Sequence, residues 1–144
     1  MIRQNHESWI NNLFLVPTMF HDLVHSHLSG RDLSSVTNIA YAGMSMTTDL
    51  VSRCSKLFPQ AEFSNFYGSS EIYTFAVRNN LASNPGSAGR AGIGQKLKIV
   101  RADPDKFIQP NEEVPVGETG EIIASMASLD AFSGYWKRPD LSLI

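Results

Sequence analysis

The chain has 144 residues and a net charge of −2, with 42% hydrophobic and 18% charged residues, a globular composition large enough for one modest core. Lys and Arg are scattered, so no basic face argues for nucleic acid, and no apolar run approaches the roughly 18–20 residues of a membrane span. Cys54 is the only cysteine, which excludes an internal disulfide and fits a reducing, cytoplasmic compartment.

Met1 to Asn12 is polar around a single Trp and is not a secretory signal. Leu13-Phe14-Leu15-Val16 is a short continuous apolar run, which predicts a strand covered on both faces. Pro17 suits a first helical position, where a missing N–H costs nothing. Met19, Phe20, Leu23, Val24 and Leu28 then form a helical stripe, with Gly30 as its end. Val36 to Ala42 returns to strand character. Thr47 or Thr48 can cap a second helix, whose stripe is Leu50, Val51, Cys54, Leu57 and Phe58 and whose stop is Pro59. On that spacing Cys54 is a core residue. Glu62 to Tyr67 is a third, aromatic-rich strand, and Tyr73 to Val77 a further one after a tight turn.

Two consecutive βαβ units imply parallel strands joined by right-handed crossovers. The expected fold class is α/β, a parallel sheet followed by the start of a small β-barrel or sandwich, and only part of a domain. Residues 1–78 make the sheet segment, 79–94 a Gly-, Asn- and Ser-rich loop, and 95–144 the β-rich segment. In the last of these, Lys96 to Arg101 places Leu97 and Ile99 on one face and Lys96 and Lys98 on the other. Val116 to Gly120 reads as a turn and Glu121 to Ser125 as the next strand.

Ligands of an open parallel sheet sit beyond the carboxyl ends of its strands. Tyr41-Ala42-Gly43-Met44-Ser45 occupies one such position, as either an ordinary βα turn or a floor whose small residues admit a flat ligand. Asn65-Phe66-Tyr67-Gly68-Ser69-Ser70-Glu71 occupies another. It offers a ring face, a flexible Gly, two hydroxyls and a carboxylate, the groups a base, a phosphate and Mg²⁺ require. A surface turn rich in turn formers is equally compatible with that composition.

The second segment matches Asn-x-Tyr-Gly-x-[Ser/Thr]-Glu, and with it the chain resembles the adenylate-forming (AMP-binding) superfamily of acyl- and aryl-CoA synthetases, luciferases and peptide-synthetase adenylation domains. Leu15 to Met19, Tyr41 to Ser45, Gly86-Ser87-Ala88-Gly89-Arg90 leading to Lys96–Val100, Val116 to Ile122, and Gly134-Tyr135-Trp136-Lys137-Arg138-Pro139 resemble the same family in the same order. The resemblance implies that Tyr67 stacks on adenine, worth ~0.5–1.5 kcal/mol beyond its buried area. It implies that Ser70 hydrogen-bonds the α-phosphate and that Glu71 ligates Mg²⁺, these two being the catalytic candidates. Gly43, Met44, Ser45, Gly68 and Ser69 join them as nucleotide-binding candidates, and Gly43, Gly68 and Gly89 as lining of the acid pocket.

Several departures stand out: Ala42 and Met44-Ser45 replace the family's commoner Gly and Ala-Pro, and Ala91 to Gly94 lacks its prolines. The phosphate loop, the Gly-Asp motif for the ribose and the terminal catalytic Lys of the family have no counterpart in the chain. The resemblance therefore implies an internal slice of an ATP-dependent acid–CoA ligase, its partners a small carboxylic acid, ATP and coenzyme A, the slice inactive alone and prone to self-association through exposed sheet surface. A stand-alone, degenerate nucleotide-binding or interaction module is the alternative.

His21 and His25 are spaced i, i+4, with His27 nearby, and could present a metal; they fall at the margin of the helical stripe, where a solvated face is the simpler reading. Glu112-Glu113 reads as a charged loop, and Tyr135 and Trp136 as core and turn packing.

Overall fold

A computed structural model describes residues 10–28, 30–81, 84–106 and 108–141. The polar stretch before Ile10 and the last three residues lie outside them. The described residues fall in two compact units, one within Met1–Tyr67 and Val77–Arg90, the other within Gly68–Ala76 and Ala91–Ile144.

The first unit alternates strand and helix: β1 (Asn12–Leu15), α1 (Pro17–His25), β2 (Asn38–Tyr41), α2 (Thr48–Leu57) and β3 (Glu62–Tyr67). Both predicted crossovers join parallel neighbours, with Leu15 paired to Tyr41 and Tyr41 to Asn65. The short strands β4 (Ala76–Arg78) and β5 (Arg90–Ala91) extend the sheet in the order β1-β2-β3-β4-β5. Phe20 of α1 and Leu50, Val51 and Cys54 of α2 share one buried cluster with Ile39, Tyr41 and Phe63 of the strands. Both helices therefore cover the same face, and burying each large side chain there contributes about 1.5–3 kcal/mol. Thr47 caps α2 as expected, its hydroxyl accepting from the Leu50 amide at 3.2 Å.

Four local expectations need correction. β1 is covered on one face only: Leu13 and Leu15 pack on the core while Phe14 is 56% exposed, beside the Phe66 ring. α1 ends at His25, because Ser26 turns to extended backbone and gives its amide to the Leu23 carbonyl; Gly30 lies beyond, and Met19 points outward. The strand expected over Tyr73 to Val77 starts at Ala76, with Tyr73 exposed. A short strand, β5, interrupts the stretch expected to be all loop.

Cys54 sits in the core as its spacing predicts, with no exposed surface, and burial pushes its thiol up to about 11. Since the thiolate is the reactive form, Cys54 should resist an aromatic disulfide reagent at pH 8 in the folded chain and react fully in guanidinium. Rapid labelling without denaturant would contradict that burial.

In the second unit β6 (Leu97–Val100) and β7 (Glu121–Ala124) pair antiparallel, Leu97 opposite Ala124. The segment near Glu113 flanks β6 through the Val114 amide on the Ile99 carbonyl at 3.0 Å and the Arg101 amide on the Glu112 carbonyl at 3.1 Å. Glu113 pairs with Lys98 at 3.5 Å, so part of that acidic loop fastens the strand. Along β6 Leu97 is half-buried and Lys98 exposed as expected, but Ile99 is exposed and Val100 is the buried residue. Burying Val100 agrees with the close packing of Gly120, where a Cβ would come within 2.3 Å of the Val100 carbonyl oxygen. The Gln95 amide ties this unit together, donating to Ser128 Oγ at 2.9 Å and Asp130 Oδ2 at 3.0 Å.

Candidate functional site

In the first unit, parallel register brings the candidates of the nucleotide floor to one edge. Tyr41, the last residue of β2, is opposite Asn65, so Gly43 and Tyr67 each stand two positions past that pair, Gly43 beyond β2 and Tyr67 as the last residue of β3. Tyr41 itself is not part of that surface. It is buried in the core, where desolvation raises its phenol pKa and the Met46 backbone hydrogen-bonds to it. Gly43 has φ +92°, a conformation that favours glycine, and an added Cβ would come within 3.8 Å of Val16 Cγ1. Met44 is 60% and Tyr67 42% exposed, with Ser45 also exposed, so a ring face and an open turn stand at the edge where a parallel sheet takes its ligands. The Asn65 amide reaches back to the Ser87 carbonyl at 3.5 Å, holding β3 to the segment after β4.

Gly89, a candidate for lining the acid pocket, lies on the turn that follows β4. It has φ +95°, and a Cβ there would lie 1.9 Å from the Val77 carbonyl oxygen. The backbone of the Gly86–Gly89 turn is pressed against β4, and that close approach is what its glycine serves.

The second unit carries Gly68, Ser69, Ser70 and Glu71 together on one tight loop. A Cβ at Gly68 would fall 1.9 Å from the Tyr73 carbonyl oxygen, so the loop closes on itself at that residue. The Ser69 amide donates to the Ile72 carbonyl at 2.9 Å, and the Ser69 hydroxyl accepts from the amides of Glu71 at 3.3 Å and Ile72 at 3.4 Å. Ser69 is thus the residue that shapes the turn, while Ser70 is exposed beside it. Ile72 is buried and bridges Ala131, and the Phe132 amide donates to the Glu71 carbonyl at 2.8 Å.

The Glu71 carboxylate receives the Tyr135 hydroxyl through Oε1. That bond, then the Ser69 hydroxyl, holds the Glu71 pKa below its ordinary value, and the same bond raises that of Tyr135. Glu71 therefore stays ionised throughout the neutral range. An ionised carboxylate beside an exposed hydroxyl fits Mg²⁺, which takes one or two carboxylates and fills its remaining positions with water and phosphate oxygens.

Of the core and turn packing expected of Tyr135 and Trp136 only the turn part holds: Trp136 lies in a turn, but Tyr135 is 41% and Trp136 87% exposed, so neither belongs to the core. Tyr135 has no local sequence signal for its part, because its partner lies 64 positions away. In the histidine pair both ring nitrogens of His25 have partners within its own unit. His25 Nδ1 lies 2.7 Å from the His21 carbonyl, and His25 Nε2 lies 3.4 Å from the Arg53 guanidinium, which Asp49 holds. Among the described residues no three His, Cys, Asp or Glu side chains gather as a metal site, nor is any helix long and apolar enough to cross a membrane.

The family described as "AMP-binding enzyme" matches residues 5–136. Tyrocidine synthase 3 of Brevibacillus parabrevis is 28% identical over 88% of this chain and 2% of its own length. The luciferase-like enzyme of the nonluminescent Zophobas morio mealworm superposes with a TM-score of 0.73 at 30% identity, over 89% of this chain and 30% of that one. A benzoate CoA ligase from Burkholderia xenovorans LB400 superposes with a TM-score of 0.76 at 21% identity, over 95% of this chain and 26% of that one. The chain thus spans at most about a third of these relatives.

Proposed function

The chain belongs to the AMP-binding enzyme family, and on that premise we propose that it is the nucleotide-handling slice of an acyl-CoA synthetase that activates a small carboxylic acid with ATP. The observation that carries the reading is the loop from Tyr67 to Glu71. It leaves the carboxyl end of a parallel strand, and its Gly68–Glu71 part holds an exposed hydroxyl next to a carboxylate kept ionised.

In the reaction, the acid's carboxylate attacks the α-phosphorus of ATP, pyrophosphate leaves, and an acyl-adenylate forms. The coenzyme A thiol then attacks the acyl carbon, AMP leaves, and the thioester results. Tyr67 would stack on adenine at the sheet edge, with Gly43, Met44 and Ser45 as the adjoining floor. Ser70 would donate its hydroxyl to an α-phosphate oxygen where negative charge builds. Glu71 would hold Mg²⁺, which when bound neutralises phosphate charge and aligns the polyphosphate. Ser69 serves the site by fixing the turn that aims its two neighbours. Gly68 gives the loop its close contact, and Gly89 acts through the seating of its turn on β4.

The exposed Met44 and the aromatic surroundings favour an apolar or aromatic acid. A lone, buried cysteine favours the cytoplasm. The uncovered face carrying Phe14 and Phe66 would be closed by the rest of a longer polypeptide, and in the isolated chain it promotes self-association.

The test is acid-dependent exchange of labelled pyrophosphate into ATP by the full-length protein across a panel of aliphatic and aromatic acids. We expect exchange with at least one of them, and none from the 144-residue chain alone. A full-length protein that binds nucleotide yet exchanges with no acid would overturn the ligase reading in favour of a non-catalytic binding module.

A further inference from the structure

We propose that Tyr135 is a positioning residue for the Glu71 carboxylate, its hydroxyl fixing the side chain that meets the metal–nucleotide. The inference deepens the ligase reading and rests on it.

A glutamate on a partly exposed loop would ordinarily sample several rotamers, and a ligand that needs one of them must bear the ordering cost. Here Tyr135 restrains that freedom by holding Oε1, and a carboxylate with about four acceptor positions can still accept a cation beside that bond. The phenol is itself oriented. Its ring meets the Phe132 ring edge-on, centroids 4.9 Å apart at 81°, and the Phe132 amide donates to the Glu71 carbonyl at 2.8 Å. One residue thus clamps the main chain of Glu71 and aligns the ring that clamps its side chain. With the Ile72–Ala131 bridge alongside, the stretch from Ala131 to Tyr135 works as a brace for the loop, and only its last hydroxyl reaches the carboxylate.

Tyr135→Phe in the full-length enzyme deletes that hydroxyl and keeps the ring. The Mg²⁺ concentration for half-maximal pyrophosphate exchange should rise about tenfold, the scale of one charge-assisted hydrogen bond. The rate at saturating Mg²⁺ and the KM for the acid should stay within about twofold. Mn²⁺ titration by electron paramagnetic resonance, with a non-hydrolysable ATP analogue bound, should show the same weakening without turnover. Phe132→Leu, which loosens the ring and leaves the hydroxyl, should give a smaller shift of the same kind. A fall in rate at unchanged metal affinity would make the brace merely structural and overturn the inference. If Glu71→Gln weakens Mn²⁺ binding and Tyr135→Phe does not, Tyr135 has no positioning part and the ligase reading stands. If neither variant weakens it, the ligase reading of Glu71 falls, and this inference with it.

Discussion

Glu71→Ala in the full-length protein is expected to abolish acid-dependent pyrophosphate exchange, by at least about a hundredfold, the loss found when one preorganised electrostatic contact to developing charge is removed. The fold should survive. The Glu71 side chain is partly exposed, and the turn it sits on is held by main-chain groups and by Ser69: Ser69 to Ile72, Glu71 and Ile72 to the Ser69 hydroxyl, and Phe132 to Glu71. None of those bonds uses the carboxylate. Circular dichroism and the thermal midpoint should therefore match the parent while exchange disappears. Exchange near the parental rate in that variant would remove the chemical role given to Glu71 and leave the loop an ordinary turn.

Gly89→Ala is expected to produce the largest stability loss among the glycines. Its φ of +95° costs an L-residue about 1–2 kcal/mol. The added methyl carbon would also lie 1.9 Å from the Val77 carbonyl oxygen and 2.6 Å from the Arg78 amide nitrogen. Backbone cannot swing aside like a flexible side chain, so either β4 or the turn must move, at a further cost of about 1–3 kcal/mol. Gly86 supplies the control, with φ +88° and nothing within 4 Å of its added Cβ. Gly86→Ala should show the conformational cost alone, and the difference in thermal midpoint between the two variants isolates the close approach. Equal midpoints would mean that the turn does not press on β4.

The elements that could be read from sequence were those specified by neighbours along the chain. β3 covers Glu62 to Tyr67 as its composition suggests, and Thr47 caps α2 because a hydroxyl three positions before Leu50 reaches that amide. The apolar stripe suggests a longer α1 because it continues through Leu28, which does pack on the core but from outside the helix. Tyr73 and Phe75 carry strand propensity, yet β4 begins only at Ala76 because the Tyr73 backbone closes on Gly68. In the candidate site, Tyr67, Ser70 and Glu71 stood out as a run of chemistry-bearing residues at a strand end. The separate duty of Ser69, the contact that defines Gly89 and the hydroxyl of Tyr135 depend on partners that no local pattern encodes. For Glu71 and Tyr135 that partnership spans 64 positions.

The pairing of Tyr41 with Asn65 carries a consequence for engineering this chain. Side chains of a strand alternate between faces, so Phe63 points to the helices and Phe66 to the opposite side with Phe14. Deleting or inserting one residue inside β3 would reverse that parity at its end. The phenol that now closes the strand would trade places with a phenyl group, although every residue type remained in the polypeptide. Length changes before Glu62 leave that parity intact, whereas those between Glu62 and Tyr67 reverse it.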